Sequence, residues 1–193
     1  GTHRLRDLGR PEQVFQLCAQ GLPDDFPPLS SLEHGLHNLP IEVASFVGRR
    51  DELRAVGDRL ASSRVVTLTG IGGVGKTRLA LQAAAAALDG CPHGVWLVEL
   101  APVRDEAWLA QAVAAALGVR EEAGREAREA LLAHLATQRL LLVLDNCEHV
   151  IDAAARVVDA IVAGCPLVTV LATSREPLGV AGEHVRPLAP LAV

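Results

Sequence analysis

Gly70, Gly72, Gly73 and Gly75 stand between a β-branched run and a run rich in alanine and leucine, and this arrangement constrains the chain more than any other. Upstream, Val65, Val66 and Leu68, with Thr67 and Thr69 between them, favour extended backbone and suit a strand covered on both faces. Downstream, Lys76 and Thr77 open a segment that predicts a helix to Leu88, closed by Asp89-Gly90 and Pro92. A strand that turns into a helix on glycines gathers main-chain N–H groups and the positive end of the helix dipole at one point, which makes a cradle for an anion. The spacing Gly70-x-x-x-x-Gly75-Lys76-Thr77 meets the full phosphate-loop pattern, in which the lysine reaches the β- and γ-phosphates and the threonine hydroxyl holds magnesium. Val74 inside the loop and Arg78 just after it complete the nucleotide-binding set expected of this stretch. A glycine-rich turn with a surface lysine would need neither the strand before nor the helix after.

The rest of the chain alternates strand with helix. Residues 48–62 predict a helix with Leu53, Val56 and Leu60 on one face and Arg49, Arg50, Asp51, Glu52 and Arg59 in solvent. Val95–Leu100 reads as a second strand, residues 105–117 as a helix stopped by Gly118, and 130–136 as a further helix after the charged stretch 121–128. Leu140 to Leu144 is the most apolar run and ends in a single acid, Asp145. A helix over 150–163, a strand over 167–173 ending in Ser174-Arg175, and a short strand near Val185 follow. The expected fold is α/β: helices on both faces of a mainly parallel five-stranded sheet, the three-layer fold of phosphate-loop NTPases, with ligands at the strand C-terminal edge.

Composition narrows the setting. At 193 residues the chain can bury one core with some length to spare. Apolar residues make up 50%, yet charge or proline breaks every run before it could cross a bilayer, so a cytoplasmic protein without membrane contact is expected. A net charge of −5 without a basic cluster gives no reason for direct nucleic-acid contact. Cys18, Cys91, Cys147 and Cys165 lack paired metal-ligand spacing and read as reduced thiols. Methionine is absent, which suggests a piece of something longer. Pro23, Pro27, Pro28 and Pro40 mark residues 21–40 as an extended linker, in which His34 and His37 read as solvated because no acid or thiol completes a metal shell. Residues 1–20 are then the end of a preceding domain, and 41–193 a nucleotide-binding domain incomplete at its C-terminus.

Three strand ends carry groups that a magnesium–nucleotide site needs. Asp145, after its apolar run, has the form of the acid that holds magnesium alongside Thr77. Arg175 offers a guanidinium fork to a terminal phosphate, provided its strand lies beside the one ahead of the loop. Cys147 and His149 sit just past Asp145, but as i, i+2 neighbours without a third partner they make a poor nucleophile pair.

With these motifs placed, Phe46-Val47-Gly48-Arg49, Gly70–Thr77, Leu141–Val150 and Ala172–Leu178 together resemble the nucleotide-binding half of a STAND-class, NB-ARC-like ATPase. The similar bacterial proteins are large regulators with a LuxR-type or other DNA-binding domain and sometimes a cyclase domain. The resemblance implies base contacts from Val47 and Gly48 and a sensor role for Arg175. Residues 1–18 resemble the last strands of class III nucleotide cyclase domains, without their metal or substrate residues. One departure concerns turnover: many relatives place an acid directly after the aspartate, where this chain has Asn146, and Glu148 is the next acid available to activate water.

The reading is a switch module that binds ATP or ADP with Mg2+, turns ATP over slowly through Lys76, Asp145, Arg175 and Glu148, and acts on other domains of its polypeptide or on a nucleotide-driven homo-oligomer. A small-molecule kinase on the same fold would need an arginine-rich lid, and a non-catalytic module would use nucleotide only for stability.

Overall fold

The computed structural model describes residues 2–3, 12–13, 37–40, 48–119 and 126–190. Near the N-terminus, β1 (Thr2–His3) pairs antiparallel with β2 (Glu12–Gln13). The main body runs α1 (Arg50–Ser62), β3 (Val65–Thr69), α2 (Lys76–Ala86), β4 (Val95–Glu99), α3 (Leu109–Ala116), α4 (Ala127–Leu135), β5 (Leu141–Asp145), α5 (Ile151–Gly164), β6 (Thr169–Ser174) and β7 (Glu183–Pro187). Its five strands form one sheet in the order β4-β5-β6-β3-β7, every neighbouring pair parallel. This is the expected fold class, and β6 lies beside β3, the condition set for Arg175.

Alternation along the strands builds the two faces. Leu142 and Leu144 of β5 pack with Leu109, Val113, Leu131, Leu135, Val158 and Ile161 from α3, α4 and α5. Leu141 and Val143 point the other way, into a second cluster with Val56 of α1 and Leu79, Ala80, Ala83 and Ala84 of α2. Both faces of the sheet are therefore covered, which is why its strands read as continuous apolar runs. With aromatics at 3%, aliphatic side chains fill nearly all of this volume.

Several boundaries differ from the sequence reading for local reasons. The helix expected from Asp105 begins instead with a 3-10 turn, Glu106–Trp108, because the Asp105 carboxylate accepts the Ala107 N–H at 3.0 Å and holds a tight turn. The fourth strand starts at Thr169, leaving Leu167 41% exposed. Arg49 is not a solvated helix residue: it sits in the left-handed region at φ 56° and donates to Val74 O at 2.9 Å and Ala189 O at 2.8 Å. It thus ties the glycine loop to the segment after β7.

Of the 21–40 stretch, only 37–40 falls among the described residues. There His37 bridges Val95, and the Asn38 carboxamide donates to Leu97 O at 2.8 Å and accepts from Leu97 N at 2.6 Å, covering the open edge of β4. At the opposite end of the sheet's depth, Arg64 donates to Val162 O, Cys165 O and Val168 O at 3.3, 2.5 and 2.9 Å. It closes the C-terminus of α5 against the start of β3.

Gly70 carries the turn out of β3. Its φ is +147°, and a Cβ there would stand 2.7 Å from Leu188 O, a main-chain atom fixed by the Leu188 N–H to Thr69 O bond at 2.7 Å. Gly70→Ala is expected to cost about 2 kcal/mol or more in urea unfolding, whereas Gly72→Ala, with nothing within 4 Å of its Cβ, should stay within about 0.5 kcal/mol. Equal stabilities for the two variants would contradict this packing.

Candidate functional site

The loop between β3 and α2 is shaped by its glycines. Gly73 and Gly75 take φ values of 79° and 89°, where a Cβ would be strained, and Gly75 is the residue that caps α2. The first N–H groups of α2 have no partner within the helix and face outward at its positive end. Lys76 is only 8% exposed, and a buried ammonium needs acceptors. Its Nζ donates to Gly70 O at 2.8 Å and Ile71 O at 3.1 Å, so the charge is folded against its own loop.

Asp145 lies two strands from β3, and the gap is closed by side chains. The Thr77 hydroxyl donates to Asp145 Oδ1 at 2.7 Å, and the Thr173 hydroxyl, from the intervening β6, donates to the same oxygen at 2.6 Å. Thr173 Oγ1 in turn accepts the Asn146 N–H at 2.9 Å. Thr173 was not singled out by sequence reasoning; its signal is its register, one position before the last residue of the strand that separates β3 from β5.

Beyond Asp145 the chain reverses. Asn146 adopts φ 68° and ψ 55°, and a 3-10 turn over Cys147–His149 follows. The left-handed Asn146 turns the chain back on itself, and Glu148, within the 3-10 turn, lies on the same side of the strand edge as Arg175. Glu148 Oε1 pairs with Arg175 Nε at 3.2 Å, while its Oε2 is buried without a partner. Arg175 itself is 69% exposed, so this pair contributes little to stability.

These groups share one cavity of about 550 Å³, lined by Gly72, Gly73, Gly75, Lys76, Thr77, Arg78, Leu81, Asn146, Glu148, Thr173 and Arg175. Asp145 meets it through Thr77 and Thr173. Gly70 and Val74 do not line it: Gly70 underlies Leu188, and Val74 is buried with its carbonyl on Arg49. Gly48, at φ 80°, also lies off the lining, and Val47 falls outside the described residues.

Cys147 and His149 do not pair. Cys147 is fully buried, and burial, with Asp145 and Glu148 nearby, pushes its thiol up to about 12. His149 turns instead to Leu100 O and Val103 O at 2.9 and 3.1 Å. Among the described residues no cluster of His, Cys, Asp or Glu with metal-binding geometry occurs, and no helix is long and apolar enough to cross a membrane.

The Thr173 hydroxyl is both donor and acceptor at a buried position. Thr173→Val is expected to lower stability by about 1–3 kcal/mol in chemical denaturation, because the Asn146 N–H loses its partner, while Thr173→Ser should lose less than about 1 kcal/mol. A valine variant as stable as the parent would remove Thr173 from the network.

Among known proteins, the chain is 38% identical over 180 residues to the uncharacterized protein Rv0894 of Mycobacterium tuberculosis, a match covering 93% of this chain and 45% of that protein. It is 47% identical over 124 residues to Rv0890c of the same organism, whose name assigns it to the HTH-type transcriptional regulators, covering 64% of this chain and 14% of that one. The chain thus spans less than half the length of these relatives. Among solved structures, Cdc6p from Pyrobaculum aerophilum superposes with a TM-score of 0.59 at 18% identity, covering 78% of this chain and 48% of that chain. The STAND protein with a tetratricopeptide repeat sensor, PH0952 from Pyrococcus horikoshii, gives 0.53 at 21% identity, covering 77% and 25%. Both likenesses concern the fold. Residues 59–177 match the AAA domain family, well over half of the chain, and the protein belongs to that family of ATPase domains.

Proposed function

We propose that the chain is the ATP/ADP-binding switch module of a multidomain regulator. The observation that carries this reading is the meeting of Thr77 and Asp145 at 2.7 Å beside the glycine loop, with Lys76 and the Arg175–Glu148 pair on the same cavity. The family membership and the regulator name of one relative support it. The resemblance of the first residues to a cyclase tail supports a neighbouring domain on the same polypeptide, and a homo-oligomer driven by nucleotide remains part of the proposal.

The residues fit a hard divalent ion. The Thr77 hydroxyl and the Asp145 carboxylate already touch, and two oxygens of this kind suit magnesium, which these residues would hold and which would offset phosphate charge. Lys76 would exchange its two loop carbonyls for phosphate oxygens. Arg175 would leave Glu148 for the terminal phosphate, which ADP lacks, and the released Glu148 carboxylate becomes available to a water. The nucleotide state is thereby written into which partner Arg175 holds. Slow turnover follows from the single acid, set three residues past Asp145 rather than beside it.

Calorimetry with Mg–ATP and Mg–ADP tests this. A hydrogen bond to a charged group is worth about 1.5–3 kcal/mol, so Lys76→Ala should weaken both nucleotides by about tenfold to a hundredfold. Arg175→Ala should weaken ATP by about tenfold and ADP by less than about threefold. Unchanged affinity in the lysine variant would refute the loop assignment, and equal losses in the arginine variant would refute the sensing role.

A further inference from the structure

We infer that Asn146 orients the attacking water in this site and that His149, which lines no part of the cavity, is the positioning residue that sets the direction of the Asn146 amide; the inference rests on the ATPase reading above. His149 Nε2 lies 2.9 Å from Leu100 O and 3.1 Å from Val103 O. Both are carbonyls and only accept, so Nε2 donates, and in the tautomer whose single proton is on Nε2 the other nitrogen, Nδ1, is an acceptor. That acceptor faces Asn146 Nδ2 at 3.3 Å. The amide is therefore held with its NH2 toward the ring and its carbonyl end away from it, and Asn146 is one of the residues that line the cavity.

The backbone of Asn146 is fixed as well. Its left-handed conformation is one that Asn enters more readily than most residues, and its N–H is held by Thr173 Oγ1 at 2.9 Å. Glycine would satisfy the backbone but present no amide. Asparagine meets both demands, and its orientation is set before any ligand arrives, as positioning of a reacting group requires.

A carbonyl oxygen accepts a hydrogen bond from water but does not take its proton. Asn146 Oδ1 holds one water hydrogen while the water oxygen bonds to the γ-phosphorus. The bond from that phosphorus to the β,γ-bridging oxygen breaks, and ADP leaves with the electron pair. The second water hydrogen passes as a proton to the Glu148 carboxylate in the same cavity and then to solvent, giving ADP and hydrogen phosphate.

Two replacements of His149 separate orientation from mere attachment. His149→Gln keeps a donor near the Leu100 and Val103 carbonyls but no acceptor at the Nδ1 position; His149→Asn keeps the acceptor and gives up the carbonyl contacts. Phosphate release and nucleotide affinity are measured for the chain and these variants, with two-bond 1H–15N spectra of the parent's histidines. His149→Gln and Asn146→Ala should each lower kcat about tenfold to a hundredfold with KM for ATP within about threefold, and the double variant should be no worse than either. His149→Asn should recover to within about fivefold of the parent, and the spectrum should show the Nε2–H ring.

A glutamine variant that turns over like the parent, an asparagine variant worse than the glutamine one, or an Nδ1–H ring would overturn the inference. ATP bound by the parent without any phosphate release would overturn it too, leaving the binding reading intact. Failure of the parent to bind nucleotide would refute the loop reading, and the inference with it.

Discussion

The Asp145 carboxylate oxygen that accepts both the Thr77 and the Thr173 hydroxyl joins segments that are far apart in the chain. Hydrogen bonds to a charged acceptor contribute about 1.5–3 kcal/mol each, and here two converge on one atom at the sheet edge. They set the spacing between the glycine loop and the end of β5, with β6 as the spacer. From this node the network continues through the Asn146 N–H and side chain to His149 and so to the carbonyls after β4. The C-terminal edges of β4, β5 and β6 and the start of α2 are held by one chain of hydrogen bonds, and that edge is where a parallel sheet offers its ligand site.

Two of the cavity's cations, Lys76 and Arg175, are engaged by acceptors of their own chain. Lys76 holds two loop carbonyls, and Arg175 holds Glu148. In the proposed switch a nucleotide therefore exchanges partners rather than meeting bare charges, and its net affinity is smaller than the sum of its contacts. The exchange is uneven. Lys76 gives up neutral carbonyls for any nucleotide with the right phosphates, whereas Arg175 gives up a carboxylate and needs a terminal phosphate in return. The unpartnered Glu148 Oε2 marks the side of that pair where the cavity is least satisfied.

Much of the fold was legible because it rests on local patterns. The β-branched run before Gly70 and the apolar run ending at Asp145 required only local pattern and turn chemistry, and the phosphate-loop spacing predicted the loop and the helix after it. The strand order was not legible, since nothing local states that β6 lies between β3 and β5. For the same reason Thr173 passed unnoticed, although its neighbours Ser174 and Arg175 were placed at the strand end. Arg49 read as a solvent residue and Asn38 as part of a linker, yet each satisfies main-chain groups of a distant segment, and Arg64, which no motif marks, does the same. Such pairings follow from which backbone groups the fold leaves open, and periodicity carries no record of them. The position of Glu148 depends on the left-handed Asn146 and the tight turn after it, a conformation that Asn tolerates but does not announce.

The central proposal is that Thr77 and Asp145 would hold a nucleotide-bound divalent ion. Replacing magnesium by manganese in the ADP complex and recording amide relaxation by NMR tests it most directly, because the unpaired electrons broaden only nearby resonances. The account predicts selective loss of the amides of residues 72–77, Asp145, Asn146 and Thr173, with Val95, Leu141 and Thr169 at the opposite edge of the sheet left sharp. Broadening centred on that opposite edge, or broadening that is the same without nucleotide, would contradict it.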